Sequence, residues 1–223
     1  MRELNLLQSA PKVVRDISAR LVNKDENRRM ALQFGHEYFD GTREQGYGGY
    51  SYDGRWIAVA ERLVELYNLK PGDRVLDVGC AKGFLVKDLR AVQPGLDVYG
   101  LDVSGYALEQ CEPEAEPFIF RGSCDRLPFA DNSFELVLAI NTVHNLEEAG
   151  CRDALREMVR VSNRDAFVQV DAYRNEDERE IFETWMLTAQ TYLTPDGWHR
   201  LFEDVGYDMD YYWTVLLPDG NVL

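Results

Sequence analysis

The stretch Val75-Leu76-Asp77-Val78-Gly79-Cys80-Ala81-Lys82-Gly83-Phe84-Leu85 constrains this chain more than any other. Val75, Leu76 and Val78 form a short apolar run of the kind found in parallel strands covered on both faces. Pro71-Gly72-Asp73 is turn chemistry and sets where that strand begins. Gly79, Ala81 and Gly83 then alternate through a small-residue turn that opens directly into a helix. Small residues there let a ligand approach the backbone, and the helix N-terminus offers free N–H groups and a positive dipole end.

A dinucleotide site requires G-x-G-x-x-G, with its third glycine for close helix–strand packing. Here the middle position is Ala81 and the third is Phe84. The pattern from Asp77 to Gly83 is instead D-x-G-x-A-x-G, which resembles motif I of the class I S-adenosylmethionine-dependent methyltransferases. That resemblance implies that Gly79, Cys80, Ala81 and Gly83 cradle the methionine end of the cofactor and that Asp77 orients it. Lys82, at the helix start, reads either as a solvated side chain or as one facing the cofactor carboxylate.

The next strand, Asp97 to Ser104, ends in Asp102. A carboxylate at the tip of the adjacent strand can accept both ribose hydroxyls of an adenosine, with Val103 beside it. Ser104 reads as the cap of the following segment. Phe118-Ile119-Phe120 is a third strand leading to Gly122 through Phe129. In the methyltransferases a residue pair at this point meets adenine, which implies that role for Cys124 and Asp125; alternatively Asp125 simply holds the turn. Phe134 to Ile140 is the fourth strand, and Ala166 to Asp171 the fifth. The run LPFADNSFELVLAINTVHNL is also similar to small-molecule methyltransferases. The segments YFDGTREQGYGGYSYDGRW, VDAYRNEDERE and DYYW extend the resemblance to bacterial enzymes associated with surface-polysaccharide or small-metabolite pathways.

Alternating strands and helices predict an α/β, Rossmann-like class I methyltransferase sheet. We expect it to be mostly parallel, with an antiparallel terminal strand over Tyr211 to Leu216. The family sheet has seven strands; six are legible here, so the last hairpin strand is missing or very short. Residues 71–223 form the expected cofactor-binding core, and residues 1–70 an N-terminal helical cap with a lid segment packed on it. Val13, Val14, Ile17 and Leu21 share a helical face, with Ser9 as a cap before Pro11, and Asn23 with Glu26 has capping-box spacing. Between Tyr38 and Trp56, glycines and tyrosines alternate with charges in no regular period, and a long loop of this kind is usually functional. Tyrosines on glycine hinges can close over a ligand and exclude water. Asp53 is the expected cap of the next helix. Thr194-Pro195 begins a later helix that stops at Gly206.

The chain of 223 residues carries 24 Lys and Arg against 39 Asp and Glu, a net charge of −15. A surface this acidic argues against nucleic acid and against anionic membranes as partners. Cys80, Cys111, Cys124 and Cys151 lack metal or disulfide-framework spacing and read as reduced cysteines of a cytoplasmic enzyme. Met1-Arg2-Glu3-Leu4 does not begin a signal peptide.

In an open α/β sheet, ligands lie beyond the carboxyl ends of the strands. Asn141 and His144 follow the fourth strand there, and Asp171, Tyr173 and Arg174 the fifth. Asn141 is expected at the cofactor. Tyr47, Tyr50, Arg55, Tyr173 and Arg174 are expected around a small-molecule acceptor. A sulfonium supplies the reactivity in methyl transfer, so the protein aligns the acceptor and removes its proton. His144 is the first candidate base by residue type, followed by Asp171 and Tyr47. No metal site is assigned, because the spacing of Asp171, His144 and His199 specifies none. The expected activity is methylation of a small polar metabolite, at oxygen, on a sugar- or nucleotide-linked compound. The alternatives are a protein side chain as acceptor, or a non-catalytic partner subunit. The aromatic C-terminal segment either packs a homodimer or finishes the sheet.

Overall fold

A computed structural model describes residues 1–9 and 14–222. In chain order its regular elements are α1 (Lys24–Ala31), α2 (His36–Asp40), α3 (Ile57–Leu66), β1 (Arg74–Val78), α4 (Phe84–Val92), β2 (Asp97–Asp102), α5 (Gly105–Glu109), β3 (Ile119–Arg121), β4 (Phe134–Ile140), α6 (Glu148–Val161), β5 (Ser162–Asp171), α7 (Glu176–Trp185), α8 (Pro195–Val205) and β6 (Asp210–Thr214). The six strands make one sheet in the order β3-β2-β1-β4-β5-β6. The strand order reverses between β1 and β4, which is the switch point where open α/β sheets bind ligands.

Every pairing in that sheet is parallel, so the expectation of an antiparallel terminal strand is corrected. α8 carries the chain back across the sheet before β6, and such a crossover returns the strand in the same direction. The outer side of β6 is partly paired with the first residues of the chain. Leu4 N–H donates to the Tyr211 carbonyl at 2.9 Å, and Tyr211 N–H donates to that of Arg2 at 3.0 Å. Arg2 also forms an ion pair with Asp210 at 2.6 Å. Among the described residues, the only antiparallel pairing is the isolated bridge between Leu216 and Val222, outside the sheet.

Two cores cover the sheet, as its near-continuous apolar strands require. Against one face α6 and α8 bury Leu155, Met158, Trp198 and Phe202. Against the other, α3 and α4 bury Val59, Leu63, Val86 and Leu89, and Leu6 from the first residues joins them. Thr194 caps α8 through its side chain, and Gly206 ends the helix in the left-handed region at φ 72°, both as the sequence predicts. No helix among the described residues is long and apolar enough to cross a membrane.

The N-terminal expectations need more revision. Pro11 and Val13 lie outside the described residues. Beyond them the expected helix is only a 3-10 turn, Ser18–Leu21, with Val14 and Leu21 each 63% exposed. Arg20 is the buried residue of that turn, because its guanidinium reaches the Glu44 and Gly46 carbonyls at 3.0 and 2.9 Å. Asn23 precedes α1 in a left-handed conformation and its side chain makes no capping bond. Asp53 does not cap α3, which begins at Ile57; it accepts instead from Arg55.

Phe202, fully buried, stacks on Trp213 and packs against Tyr207. Phe202→Ala is expected to lower the free energy of unfolding by about 3–5 kcal/mol, the usual cost of a large-to-small change in a core. Phe120→Ala, at a position 43% exposed, is expected to change it by less than about 1 kcal/mol. Urea denaturation of the two variants checks both values.

Candidate active site

β1, β2 and β4 end at the same edge of the sheet, and a cavity of about 480 Å³ lies beyond them. The turn after β1 contributes Gly79, Cys80 and Ala81, the tip of β2 contributes Asp102 and Val103, and the end of β4 contributes Asn141 and Thr142. Gly79 has φ 84°, and a Cβ at that position would lie 2.0 Å from Thr142 Oγ1. Glycine is therefore required twice over at this turn, by conformation and by space. Ala81 adopts the left-handed region at φ 48° without being glycine, as do Phe34 and Asn141 at φ 48° and 54°. All three line the cavity, and Ala81 and Phe34 are the two that are not asparagine. The other three such residues, Asn23, Asn68 and Asn132, are asparagines, the side chain that tolerates this conformation best.

Two buried carboxylates face this space with different partners. Asp102 accepts the Ala81 and Ser104 backbone N–H groups, each at 2.8 Å, and so ties the first turn to the second. Asp77 is 5% exposed and receives no hydrogen bond from the described residues. Burial and the neighbouring Asp102 push its carboxyl up to about 7. A buried carboxylate open towards a cavity is a fitting partner for a cationic group.

The Gly/Tyr-rich segment closes the other side. Tyr47, Tyr50 and Trp56 line the cavity together with Phe39 of α2 and Phe84 of α4. Tyr50 stacks on Phe84 at 4.9 Å between ring centroids, and Tyr47 lies 4.5 Å from Tyr50. At Gly46 an added Cβ would fall 1.8 Å from the Tyr38 carbonyl, so the loop passes directly against α2. Lys82 is neither solvated nor turned to the cavity. It is 7% exposed and pairs with Asp40 at 2.6 Å. Asp40 also accepts from Tyr106 Oη at 2.7 Å and from the Tyr50 N–H at 3.0 Å. Partial burial works against ionisation of Asp40, but Lys82, the Tyr50 N–H and Tyr106 outweigh it and hold the carboxyl down at about 2.

A second cavity, about 150 Å³, adjoins the first, and Tyr38, Tyr47 and Asn141 line both. His144 and Asp171 meet in it, His144 Nε2 lying 3.0 Å from Asp171 Oδ2. The Asp171 backbone N–H donates to His144 Nδ1 at 3.1 Å, which leaves the ring proton on Nε2, facing the carboxylate. Both imidazole nitrogens are thus occupied. Trp198 Nε1 donates to the Asp171 carbonyl at 2.9 Å and fixes the same residue from below. Burial raises the Asp171 carboxyl above its ordinary range, against the opposing pull of His144 and Arg15. Burial lowers His144. His199 stands apart, edge-on to Tyr211 and Trp213.

Of the residues the sequence nominates, Asp77, Gly79, Cys80, Ala81, Asp102, Val103, Cys124, Asn141, Tyr47 and Tyr50 line the larger cavity. His144 and Asp171 line the smaller. Five line neither. Gly83 is the left-handed cap of α4, packed against Ala115. Cys124 is the buried member of its pair and Asp125 is not in the wall. Arg55 is spent on Asp53 at 2.6 Å, and Arg174 on Glu178 at 2.5 Å. Tyr173 packs edge-on against Tyr192. Sequence reasoning missed Thr142, Phe34 and Arg15, Arg20 and Arg43 of the smaller cavity. Arg43 lies within the Gly/Tyr-rich stretch and had that signal; the others carry none.

Residues 76–169 match the family model described as a methyltransferase domain. They form a class I methyltransferase domain. The chain is 29% identical over 139 residues to malonyl-[acyl-carrier protein] O-methyltransferase of Legionella pneumophila, covering 59% of this chain and 48% of that protein. It is 31% identical over 127 residues to demethylmenaquinone methyltransferase of Beutenbergia cavernae, covering 56% of this chain and 51% of that protein. The match thus spans about half the length of these curated relatives. Among solved structures, the YcgJ protein of Bacillus subtilis superposes with a TM-score of 0.53 at 20% identity, over 66% of each chain, which supports the fold. A methyltransferase domain of this family takes its methyl group from S-adenosylmethionine. The turn in which Gly79 leaves no room for a side chain, and the unpartnered Asp77 carboxylate, fit that cationic donor.

Two outcomes are expected here. A carboxyl raised by the fold favours its protonated form, so its contribution to the stability of the unliganded protein is lost as pH rises from near 4 through about 7. Melting temperature followed across that range should show this decline, and Asp77→Asn should flatten it. Asp40→Ala should free the Gly/Tyr-rich segment, weakening S-adenosylhomocysteine binding by about tenfold, or about 1.4 kcal/mol. Calorimetry and hydrogen exchange over residues 41–56 read the two effects.

Proposed function

We propose that the chain is an S-adenosylmethionine-dependent methyltransferase that methylates oxygen on a small polar acceptor, a sugar- or nucleotide-linked compound. The smaller cavity is the acceptor site and Asp171 is the base. The observation that carries this reading is the position of Asp171, a raised carboxylate in a cavity that joins the larger one at Tyr38, Tyr47 and Asn141. The donor supplies an electrophilic methyl group on a sulfonium, and Asp77, Gly79, Ala81 and Asp102 are the residues that would hold it.

The protein's own work is positional and acid–base. Asp171 takes the proton of the acceptor hydroxyl as its oxygen becomes the nucleophile. His144, with Nδ1 bound to the backbone and Nε2–H directed at Asp171, orients that carboxylate and has no nitrogen left to serve as the base itself. Tyr38 and Tyr47 stand at the junction, where they keep water from the reacting groups. The relatives matched include an enzyme named as an O-methyltransferase of a carrier-linked acid and one named for demethylmenaquinone, which supports a small or carrier-linked acceptor.

The test is turnover with a panel of hydroxylated acceptors, read as S-adenosylhomocysteine released. Asp171→Asn is expected to reduce kcat by about 10²–10⁴-fold, the usual share of general-base catalysis, with S-adenosylhomocysteine affinity unchanged. His144→Gln should reduce kcat less. A full-rate Asp171→Asn enzyme would remove Asp171 from the chemistry.

A further inference from the structure

The smaller cavity is lined by cations in a chain whose net charge is −15. Arg15, Arg20 and Arg43 line it, from the first residues of the chain and from the Gly/Tyr-rich segment. None of them belongs to any ion pair formed among the described residues, although Asp and Glu outnumber Lys and Arg by 39 to 24. Asp171 is the one carboxylate in the wall, and it is bonded to His144.

The three guanidiniums are held in place without being neutralised. Arg15 and Arg20 both lie over the Trp185 ring, 5.2 and 5.4 Å from its centroid. Arg20 is 6% exposed and donates only to the Glu44 and Gly46 carbonyls. Arg43 Nη1 donates to the Tyr47 carbonyl. Arg15 Nε is buried and has no hydrogen-bond partner among the described residues. A buried donor left unpaired costs free energy that a bound acceptor would recover. Burial, and next the proximity of Arg43, depress both Arg15 and Arg20, with Arg20 brought down to about 10. That is the electrostatic state of a cation cluster with no counter-ion of its own among the described residues.

We propose that the acceptor is an oxyanion-bearing alcohol, with a carboxylate or phosphate that Arg15 and Arg43 bind while its hydroxyl meets Asp171. Planar guanidiniums suit either anion, through paired N–H donors. Arg20 adds charge from behind and keeps the pair from folding back onto the protein. Phe182, Leu187 and Leu216 supply the apolar part of the wall, and a volume of about 150 Å³ suits one small acid. The inference rests on reading this cavity as the acceptor site, and it selects, among polar acceptors, those that carry negative charge.

The test is titration of the full chain, saturated with S-adenosylhomocysteine, with acetate and with inorganic phosphate at ionic strength held constant by sodium chloride. The readouts are the Arg Nε–Hε correlations by ¹⁵N NMR and calorimetry. Saturable binding that moves the Arg15 Nε resonance is expected for at least one anion, and the one that binds more tightly names the group. Arg15→Gln and Arg43→Gln should each weaken that binding at least tenfold and leave S-adenosylhomocysteine affinity unchanged. Arg43 is exposed, so its variant reports even if Arg15→Gln folds poorly. No saturable binding of either anion, or equal binding in both variants, overturns the proposal. Failure of S-adenosylhomocysteine to bind would instead sink the methyltransferase reading, and the same titration without it still decides this one.

Discussion

The cavity has a far wall because Lys82 and Asp40 form an ion pair. Lys82 sits in the turn that follows the first strand, and Asp40 ends a short helix before the Gly/Tyr-rich segment. Tyr106 and the Tyr50 backbone converge on the same carboxylate, so one acid gathers three separate stretches of chain. A buried charge with several hydrogen bonds is strongly held, and removing one member leaves the others uncompensated. The tyrosines that separate the two cavities are placed by this contact. Without it, the loop keeps its bonds to Arg20 and to the α2 backbone but loses its tie to the turn after β1.

Charge is arranged by depth. The surface carries the excess of acids, the larger cavity presents Asp77 and Asp102, and the smaller presents arginines. A cationic donor and an anionic acceptor would each meet a wall of opposite sign, with Tyr38, Tyr47 and Asn141 between. Asp171 lies on the arginine side, where nearby positive charge opposes the effect of burial on its carboxyl.

The strand–turn–helix from Val75 to Leu85 and the acid at Asp102 were legible because backbone geometry forces residue type there. Only a glycine fits at 79, and only an acceptor can serve the two N–H groups at the tip of β2. The direction of β6 was not legible, since apolar period two is the same in parallel and antiparallel strands. Lys82 was misread because its partner lies 42 residues away in a segment with no period. His144 was correctly drawn to the rim, but its role depends on which atoms its ring nitrogens meet, and no local pattern encodes that. Arg15, Arg20 and Arg43 were invisible as a group: each is unremarkable alone, and only the fold brings them to one cavity.

The pairing of the first residues with β6, and of Arg15 N–H with the Gly220 carbonyl at 2.8 Å, has a consequence for the order in which the protein becomes complete. Every residue lining the larger cavity lies between positions 32 and 190. The smaller cavity needs residues 15 and 222 together. Contacts so distant in sequence close late, because loop entropy must be overcome before they contribute. On a ribosome every residue of the larger cavity is therefore made while the smaller one still lacks Thr214, Leu216 and Val222, so the two halves of one continuous space are finished at different moments of the molecule's own synthesis.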